Sequence, residues 1–130
     1  MIFGGLVPPL GALEPMVRRM LAPSVAREPS ETMDELIADI EAGRVICWLI
    51  TEGDEVCGVV VTEIHGTVSR TCVIRHCAGA QIREWLHYLA RIEWWAKNVE
   101  LCDSIELIGR EGWQRVLGWE RTAVQLRKSL

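Results

Sequence analysis

The spacing of hydrophobic residues changes along the chain, and it begins with a helical period. Between residues 11 and 21, apolar side chains recur three and four positions apart, which predicts a first helix with Pro15 in its opening turn. A second helix is predicted to start near residue 30 or 32. Thr32 and Glu35 have the spacing of an N-terminal capping box, and Gly43 supplies a C-terminal stop.

After Gly43 the pattern becomes that of β-strands, with apolar runs separated by turn residues. Helical spacing returns once, for about twenty residues. The predicted elements are, in order, strands over 45–50, 56–64 and 68–77, a long helix over 80–99, a strand over 103–108, a short helix over 109–117 and a strand over 119–126.

This order predicts an α+β fold with a mixed, mostly antiparallel sheet and helices on both faces. The hairpin and the strands on either side of the long helix should share one sheet, with the helix lying across it. We expect a single domain over residues 1–130. It would consist of a segment over 1–29, which holds all five prolines, and a core over 30–130.

Charge and hydropathy exclude several classes of partner. The 130 residues carry a formal net charge of −4, so there is no basic footprint for nucleic acid. No apolar run approaches the roughly 20 residues that span a bilayer. The N-terminus is apolar but lacks the basic start of a signal peptide, so we expect a cytoplasmic protein.

The cysteine and histidine positions argue against disulfides and metal. The five cysteines form no C-x-x-C pair, and their odd number leaves at least one unpaired. Cys47 and Cys57 lie in apolar strand-like runs, where a free thiol behaves as a small hydrophobic group. No metal-ligand spacing links the three histidines to each other or to the cysteines, so we expect no metal site.

The stretch RHCAGAQIREWL, residues 75–86, joins the third predicted strand to the long helix. Its small residues permit two interpretations. They suit an ordinary tight turn that caps a helix. They also suit a loop whose backbone N–H groups receive a pyrophosphate at a helix N-terminus.

The element order and this loop together resemble the GCN5-related N-acetyltransferase (GNAT) superfamily. The acyl-CoA loop of that family follows the pattern Q/R-x-x-G-x-G/A. Arg75 matches its first position and Ala80 its last, whereas Ala78 stands at the first glycine and Gly79 is displaced by one. The resemblance implies acetyl-CoA as cofactor. The cofactor-binding residues that it implies are Ile74, Arg75, Ala78, Gly79, Ala80 and Gln81.

A second segment, residues 109–119, is similar to the end of small GNAT-like proteins of bacteriophages and prophages. Their pattern GR-x-GW-x-RVLG[FW] is present at every position. Trp113, Val116 and Leu117 would also form the buried side of a short helix, and both interpretations can hold together.

Catalytic residues are harder to assign. The resemblance implies a general-acid tyrosine after the fourth or fifth strand, but the single tyrosine, Tyr88, lies inside the long helix. The candidate bases are Glu63, His65, His76 and Glu106, each expected in a solvent-facing strand or turn position. Cys72 and Cys77 flank His76 in sequence, yet neighbouring strand residues point to opposite faces.

Trp94 falls away from the predicted core face of the long helix, beside His87, and Trp95 falls at its far edge. We expect Trp94 to be exposed in the monomer and buried in a self-assembly or a partner complex, unless residues 1–29 cover it. Two functions therefore stay open. One is an acyl-CoA-dependent N-acetyltransferase. The other is a non-catalytic GNAT-fold structural or adaptor protein of a phage virion or ejection apparatus, which would place it in the virion.

Overall fold

The computed structural model describes residues 2–28, 30–79, 82–107, 118–120, 126 and 128–130. In chain order its elements are β1 (Ile2–Gly5), a 3₁₀ turn (Gly11–Leu13), α1 (Glu14–Ala26), α2 (Met33–Glu41), β2 (Ile46–Glu52), β3 (Glu55–His65), β4 (Thr71–Ala78), α3 (Ile82–Asn98) and β5 (Ser104–Leu107). The predicted α+β class is confirmed. The predicted short helix over 109–117 lies outside the described residues, as does most of the strand over 119–126.

The strands form one sheet in the order β1-β2-β3-β4-β5. The first three pairings are antiparallel, and β4 pairs with β5 in parallel. Because parallel neighbours need a crossover, α3 connects the ends of β4 and β5 across one face of the sheet. The prediction of a single sheet with the long helix across it is confirmed.

Helix α1 is longer than the sequence pattern predicted. Pro15 falls in its first turn as expected, but the helix continues through Pro23 to Ala26. Val17, Leu21 and Val25 recur every four residues and are buried. Burying three such side chains contributes about 1.5–3 kcal/mol each, which outweighs the roughly 3 kcal/mol cost of an interior proline.

Helix α2 begins and ends where its capping residues predict. The Thr32 Oγ1 accepts a hydrogen bond from the Glu35 N–H at 3.2 Å and donates one to Glu35 Oε1 at 3.0 Å. Gly43, just beyond the end of the helix, has φ of +75°, which only glycine adopts without strain.

Strand β1 is absent from the sequence-based prediction. It has only four residues, two of them Gly4 and Gly5, and it pairs with β2 on one side only. Neither its composition nor its length gives the alternating apolar pattern by which a strand is recognised.

The sheet separates two hydrophobic cores. One lies under α1 and α2 and is built mainly from their apolar faces and alternate residues of β2 and β3: Leu10, Val17, Leu21, Val25, Leu36, Ile37, Ile40, Val45, Cys47, Leu49, Val59 and Val61. The other lies under α3: Trp48, Ile50, Val60, Cys72, Ile74, Tyr88, Leu89, Ile92 and Ala96. Both faces of the central strands are therefore covered.

The aromatic residues of α3 divide as the helical period predicts. Trp94 is 64% exposed, so the described part of residues 1–29 does not cover it. Trp95 is half-buried and stands edge-on to Trp48, with ring centroids 4.9 Å apart. None of the described helices combines the length and the apolar character that a membrane span requires.

The stability of the α3-side core can be tested at Ile92, which is fully buried. Ile92→Ala should lower the free energy of unfolding by about 2–5 kcal/mol, through lost burial and the cavity that remains. Val68→Ala is the control, since that side chain is 96% exposed, and it should change stability by no more than about 0.5 kcal/mol. Urea titration measures both. Equal effects would contradict the assignment of Ile92 to the core.

The cysteines give a second test of the two cores. All five are free, and burial raises the pKa of the Cys47 and Cys72 thiols to about 12. At pH 8 the reactive thiolate is then only about one part in 10⁴ of each. Iodoacetamide should leave both unmodified in the native protein and alkylate both in denaturant, as read by peptide mass spectrometry. Native alkylation at either position would show that its core opens.

Candidate active site

The loop after β4 contains a glycine that its conformation requires. Gly79 has φ of +101°. A Cβ at this position would lie 2.3 Å from Met20 Cε and 2.7 Å from the Cys57 carbonyl oxygen. Gly79 is exposed. It directly follows the last residue of β4, and two further residues lie between it and the start of α3. A positive-φ glycine with small neighbours at a helix N-terminus fits a phosphate-bearing ligand.

The predicted cofactor-binding residues lie partly in strand β4 and partly in the loop that follows it. Ile74 is fully buried in the α3-side core. Ala78 ends β4, where it pairs with Val59. Ala80 and Gln81 lie outside the described residues. Arg75 belongs to β4 rather than to the loop, and its contacts are described below.

Strand β4 has an edge that β5 follows only in part. The parallel pairing runs from Thr71 with Ser104 to Ile74 with Leu107. Beyond Ile74, none of the described residues pairs with β4 on that side, while β3 continues on the other side to Ala78. The backbone N–H and C=O groups of this edge suit an extended ligand that carries amides.

A β-bulge interrupts β4 at Arg75. Thr62 pairs with Ile74 and Val61 with His76, so Arg75 is the extra residue. Without the bulge, Arg75 and His76 would point to opposite faces. Here both side chains reach one carboxylate, that of Glu31, on the α1 and α2 side of the sheet.

The side chains that meet at this point will be called the bulge cluster: Ser24, Glu31, Glu63, Arg75 and His76. Glu31 Oε1 pairs with the Arg75 guanidinium, and Glu31 Oε2 lies 2.8 Å from His76 Nε2. His76 Nδ1 lies 2.6 Å from the Ser24 Oγ. The side chains of His76 and Glu31 are only 3% and 7% exposed.

Further carboxylates surround the Arg75 guanidinium. Its second nitrogen lies 3.2 Å from Glu63 Oε2 and 3.5 Å from Asp39 Oδ2. A hydrogen bond from Arg44, together with the charge of Arg75, holds the pKa of Asp39 below its ordinary value. Among the residues that the structure describes, no group of histidine, cysteine, aspartate and glutamate side chains has an arrangement that could hold a metal ion.

The expected positions of the candidate bases are partly wrong. His65 and Glu106 are exposed, as predicted. His76 was expected at the surface but is buried, because the bulge turns it under α1. Glu63 is only half-buried rather than free in solvent, since Arg75 and His65 both pair with it.

The predicted opposition of His76 and the adjacent Cys77 is confirmed, and the bulge puts Cys72 on the face opposite His76 as well. Cys72 is buried in the α3-side core and Cys77 packs against it, on the face opposite Glu31. Tyr88 is buried in the same core, with its ring edge-on to His87. None of these three side chains joins the bulge cluster.

Sequence reasoning missed Ser24 and Glu31. Ser24 and Glu31 are 52 and 45 residues from His76 in sequence, so no local spacing of residues indicates these contacts. The position of Glu31 immediately before the Thr32 N-cap marks only a helix start. The bulge itself gives no clear signal in an apolar strand sequence.

The fold of the chain is similar to that of solved acetyltransferase structures. One is described as a predicted acetyltransferase of Clostridium acetobutylicum, solved with acetyl-CoA: TM-score 0.70, 13% identity, 98% of this chain and 95% of that chain covered. Another is a possible acetyltransferase of Clostridium difficile 630, with TM-score 0.69, 9% identity and coverage of 100% and 98%.

A third similar structure is an aminoglycoside acetyltransferase from an uncultured soil metagenomic sample, in complex with sisomicin, with TM-score 0.69, 8% identity and coverage of 99% and 95%. No protein-family model matches the sequence, and no curated protein sequence matches it. Identities this low establish the fold alone. The chain therefore has the fold of the GNAT-type acetyltransferases.

Proposed function

We propose that this protein is an acyl-CoA-dependent N-acetyltransferase. The observation that carries the proposal is the positive-φ Gly79 between β4 and α3, in a fold similar to that of the Clostridium acetobutylicum protein solved with acetyl-CoA. The pyrophosphate of the cofactor would lie against the backbone of residues 78–81. Helix α3 would direct the positive end of its dipole at that pyrophosphate.

The rest of the cofactor would follow the part of the β4 edge that no described residue pairs with, beyond Ile74. From Gly79 back to Arg75 the strand spans about 13 Å at ~3.3 Å per residue. The amide-bearing arm of CoA can pair with this edge as an added strand would. The thioester would then reach the bulge, where the side chains of the bulge cluster lie on the α1 and α2 face.

Arg75 has two possible partners in this scheme. Its position in the loop pattern implies a phosphate, whereas its guanidinium now pairs with Glu31, Glu63 and Asp39. Contact with a phosphate would require it to leave three carboxylates, one of them almost fully buried. We therefore assign the recognition of the pyrophosphate mainly to the backbone of the loop, with Arg75 as a secondary contact.

Cofactor binding is tested by isothermal titration of the full chain with acetyl-CoA and with desulfo-CoA. Desulfo-CoA keeps the pyrophosphate but lacks the sulfur, so binding of both reports on the loop rather than on the chemistry. Saturable binding of both is expected. If neither binds at millimolar concentration, the loop is a turn and the proposal fails.

The role of the loop is tested by Gly79→Ala. The new Cβ would enter the space of Met20 Cε and the Cys57 carbonyl at a positive φ. The shifted loop should bind desulfo-CoA about tenfold or more weakly, a loss of roughly 1.4 kcal/mol.

The control for Gly79→Ala is Gly53→Ala, in the β2–β3 turn. Gly53 also has a positive φ, of +61°, but a Cβ there meets nothing within 4 Å. Both variants carry left-handed strain of about 1–2 kcal/mol. Only the first should lose affinity. If melting temperatures show that both variants are folded and both bind desulfo-CoA with equal affinity, Gly79 has no role in cofactor binding.

A non-catalytic role is the alternative. It is favoured by the burial of Tyr88, the only tyrosine of the chain, in the α3-side core, where it cannot protonate a thiolate at the edge of β4. The narrower form of this alternative, a structural or adaptor protein of a phage virion, gains no support from the solved structures that the chain resembles.

We further propose that the C-terminal end of α3 mediates self-association. Three large hydrophobic side chains are exposed within eight residues, Trp94 in the helix and Val99 and Leu101 just beyond its last residue. Trp94→Ala should weaken a dimer by about 2–3 kcal/mol without unfolding the protein. Sedimentation equilibrium measures the dimer, with Val68→Ala as the exposed control. A monomeric wild-type protein at all concentrations would dismiss the interface.

A further inference from the structure

We propose that Ser24 is an activated nucleophile that accepts the acyl group of the thioester as a covalent ester. This inference rests on the proposed acyl-CoA function for the identity of its donor. It adds a serine intermediate between the cofactor and the final acceptor. Its basis is the hydrogen-bonded series Ser24, His76 and Glu31 inside the bulge cluster.

The tautomer of His76 follows from its two neighbours. The Arg75 guanidinium pairs with the Glu31 carboxylate, and a carboxylate can only accept hydrogen bonds. The Nε2 of His76, 2.8 Å from Glu31 Oε2, must then carry the proton. In the neutral imidazole that the proposal requires, Nδ1 keeps a lone pair and accepts from the Ser24 hydroxyl, 2.6 Å away.

This is the order of a serine–histidine–acid triad, with the two imidazole nitrogens exchanged. A serine becomes nucleophilic when an adjacent base, oriented by a third group, takes its proton. His76 is that base. Glu31 is a positioning residue, because it fixes the tautomer and stabilises the imidazolium without touching the acyl group.

The position of Ser24 connects it with the proposed cofactor loop. Ser24 lies in the last turn of α1, is half-buried, and shares a helix face with Met20 one turn earlier. The terminal methyl of Met20 lies against Gly79. His76 precedes Gly79 by three residues on β4. The hydroxyl is therefore close to the end of β4 along which the acyl arm would run.

The proposed step balances without a further reagent. The Ser24 Oγ bonds to the thioester carbonyl carbon as its proton passes to His76 Nδ1. The tetrahedral intermediate then collapses, the carbon–sulfur bond breaks, and the departing thiolate takes the proton from Nδ1. The products are an acetyl ester of Ser24 and free CoA. An amine acceptor, or water, then attacks the ester carbonyl carbon as its proton passes to His76 Nδ1; the carbon–Oγ bond breaks, and the Ser24 oxygen takes that proton back.

The test is to trap the ester on the full-length protein. One sample is incubated briefly with acetyl-CoA, another with p-nitrophenyl acetate, an activated ester that needs no CoA site. Both are quenched in acid and analysed by tandem mass spectrometry, which separates an acetyl group on Ser24 from one on a cysteine. Desulfo-CoA titration of the same preparation reports cofactor binding separately.

Three variants show whether the label depends on the nucleophile. Ser24→Ala should abolish it. Ser24→Cys should restore it as a thioester, which a purely structural serine would not do. Ser30→Ala is the matched control in the connection that follows α1, because the Ser30 hydroxyl is exposed and bonds to Glu28 at 2.7 Å rather than to a histidine. It should label like the wild type.

The outcomes separate this inference from the proposed function. Acetyl on Ser24 from both donors supports both. Labelling by p-nitrophenyl acetate without CoA binding supports the nucleophile and overturns the donor, and with it the proposed function. Desulfo-CoA binding with no acetyl on Ser24 from either donor overturns the nucleophile and leaves the proposed function standing.

Discussion

The β-bulge at Arg75 is the constraint on which the rest of the site depends. In a regular strand the side chains of Arg75 and His76 would point to opposite faces of the sheet, and only one could reach the α1–α2 connection. The additional residue brings both to Glu31, which is divided between them, one oxygen each. The same additional residue returns Cys77 to the α3 side, so that the hydrophobic alternation resumes directly afterwards.

The buried charges of the bulge cluster are tolerated because each is paired with opposite charge. An ionised carboxylate with 7% of its side chain exposed loses several kcal/mol of hydration, which a single partner seldom restores. Glu31 has two partners, and Arg75 has three carboxylates. Removing one member of such a set strands the others, at about 3–5 kcal/mol. The cluster consequently fixes the start of α2 against β4 and holds the Ser24 turn of α1 over His76.

Local signals account for most of the fold. Period changes near Gly43 and residue 80, the Thr32 cap and the hairpin turn each depend on neighbours in sequence, and the elements they predicted from α1 to β5 are confirmed. Prediction failed where tertiary packing prevails over propensity. The continuation of α1 through Pro23 depends on burial against the sheet, and β1 exists because β2 offers it a partner.

The site was predictable only in its backbone part. Small residues between a strand and a helix announce a loop, and Gly79 has the positive φ that such a loop uses. The side-chain part depends on a register change and on contacts across more than forty residues, as for Ser24 with His76. A histidine in an apolar strand therefore gave the expectation of an exposed side chain, whereas the fold buries it beside a serine.

The backbone edge of β4 and its side chains at the bulge face different directions, so the strand can present each to a different group. In the proposed function, its backbone edge and the following loop would offer N–H and C=O groups to a long, amide-bearing and anionic ligand. Its side chains at the bulge point out of the sheet plane, toward α1 and α2. In the proposed function, a group carried along the edge would arrive beside side chains that approach from the face of the sheet. Among the described residues, β4 has both features that the proposal needs, which are an edge without a pairing partner beyond Ile74 and a bulge at Arg75.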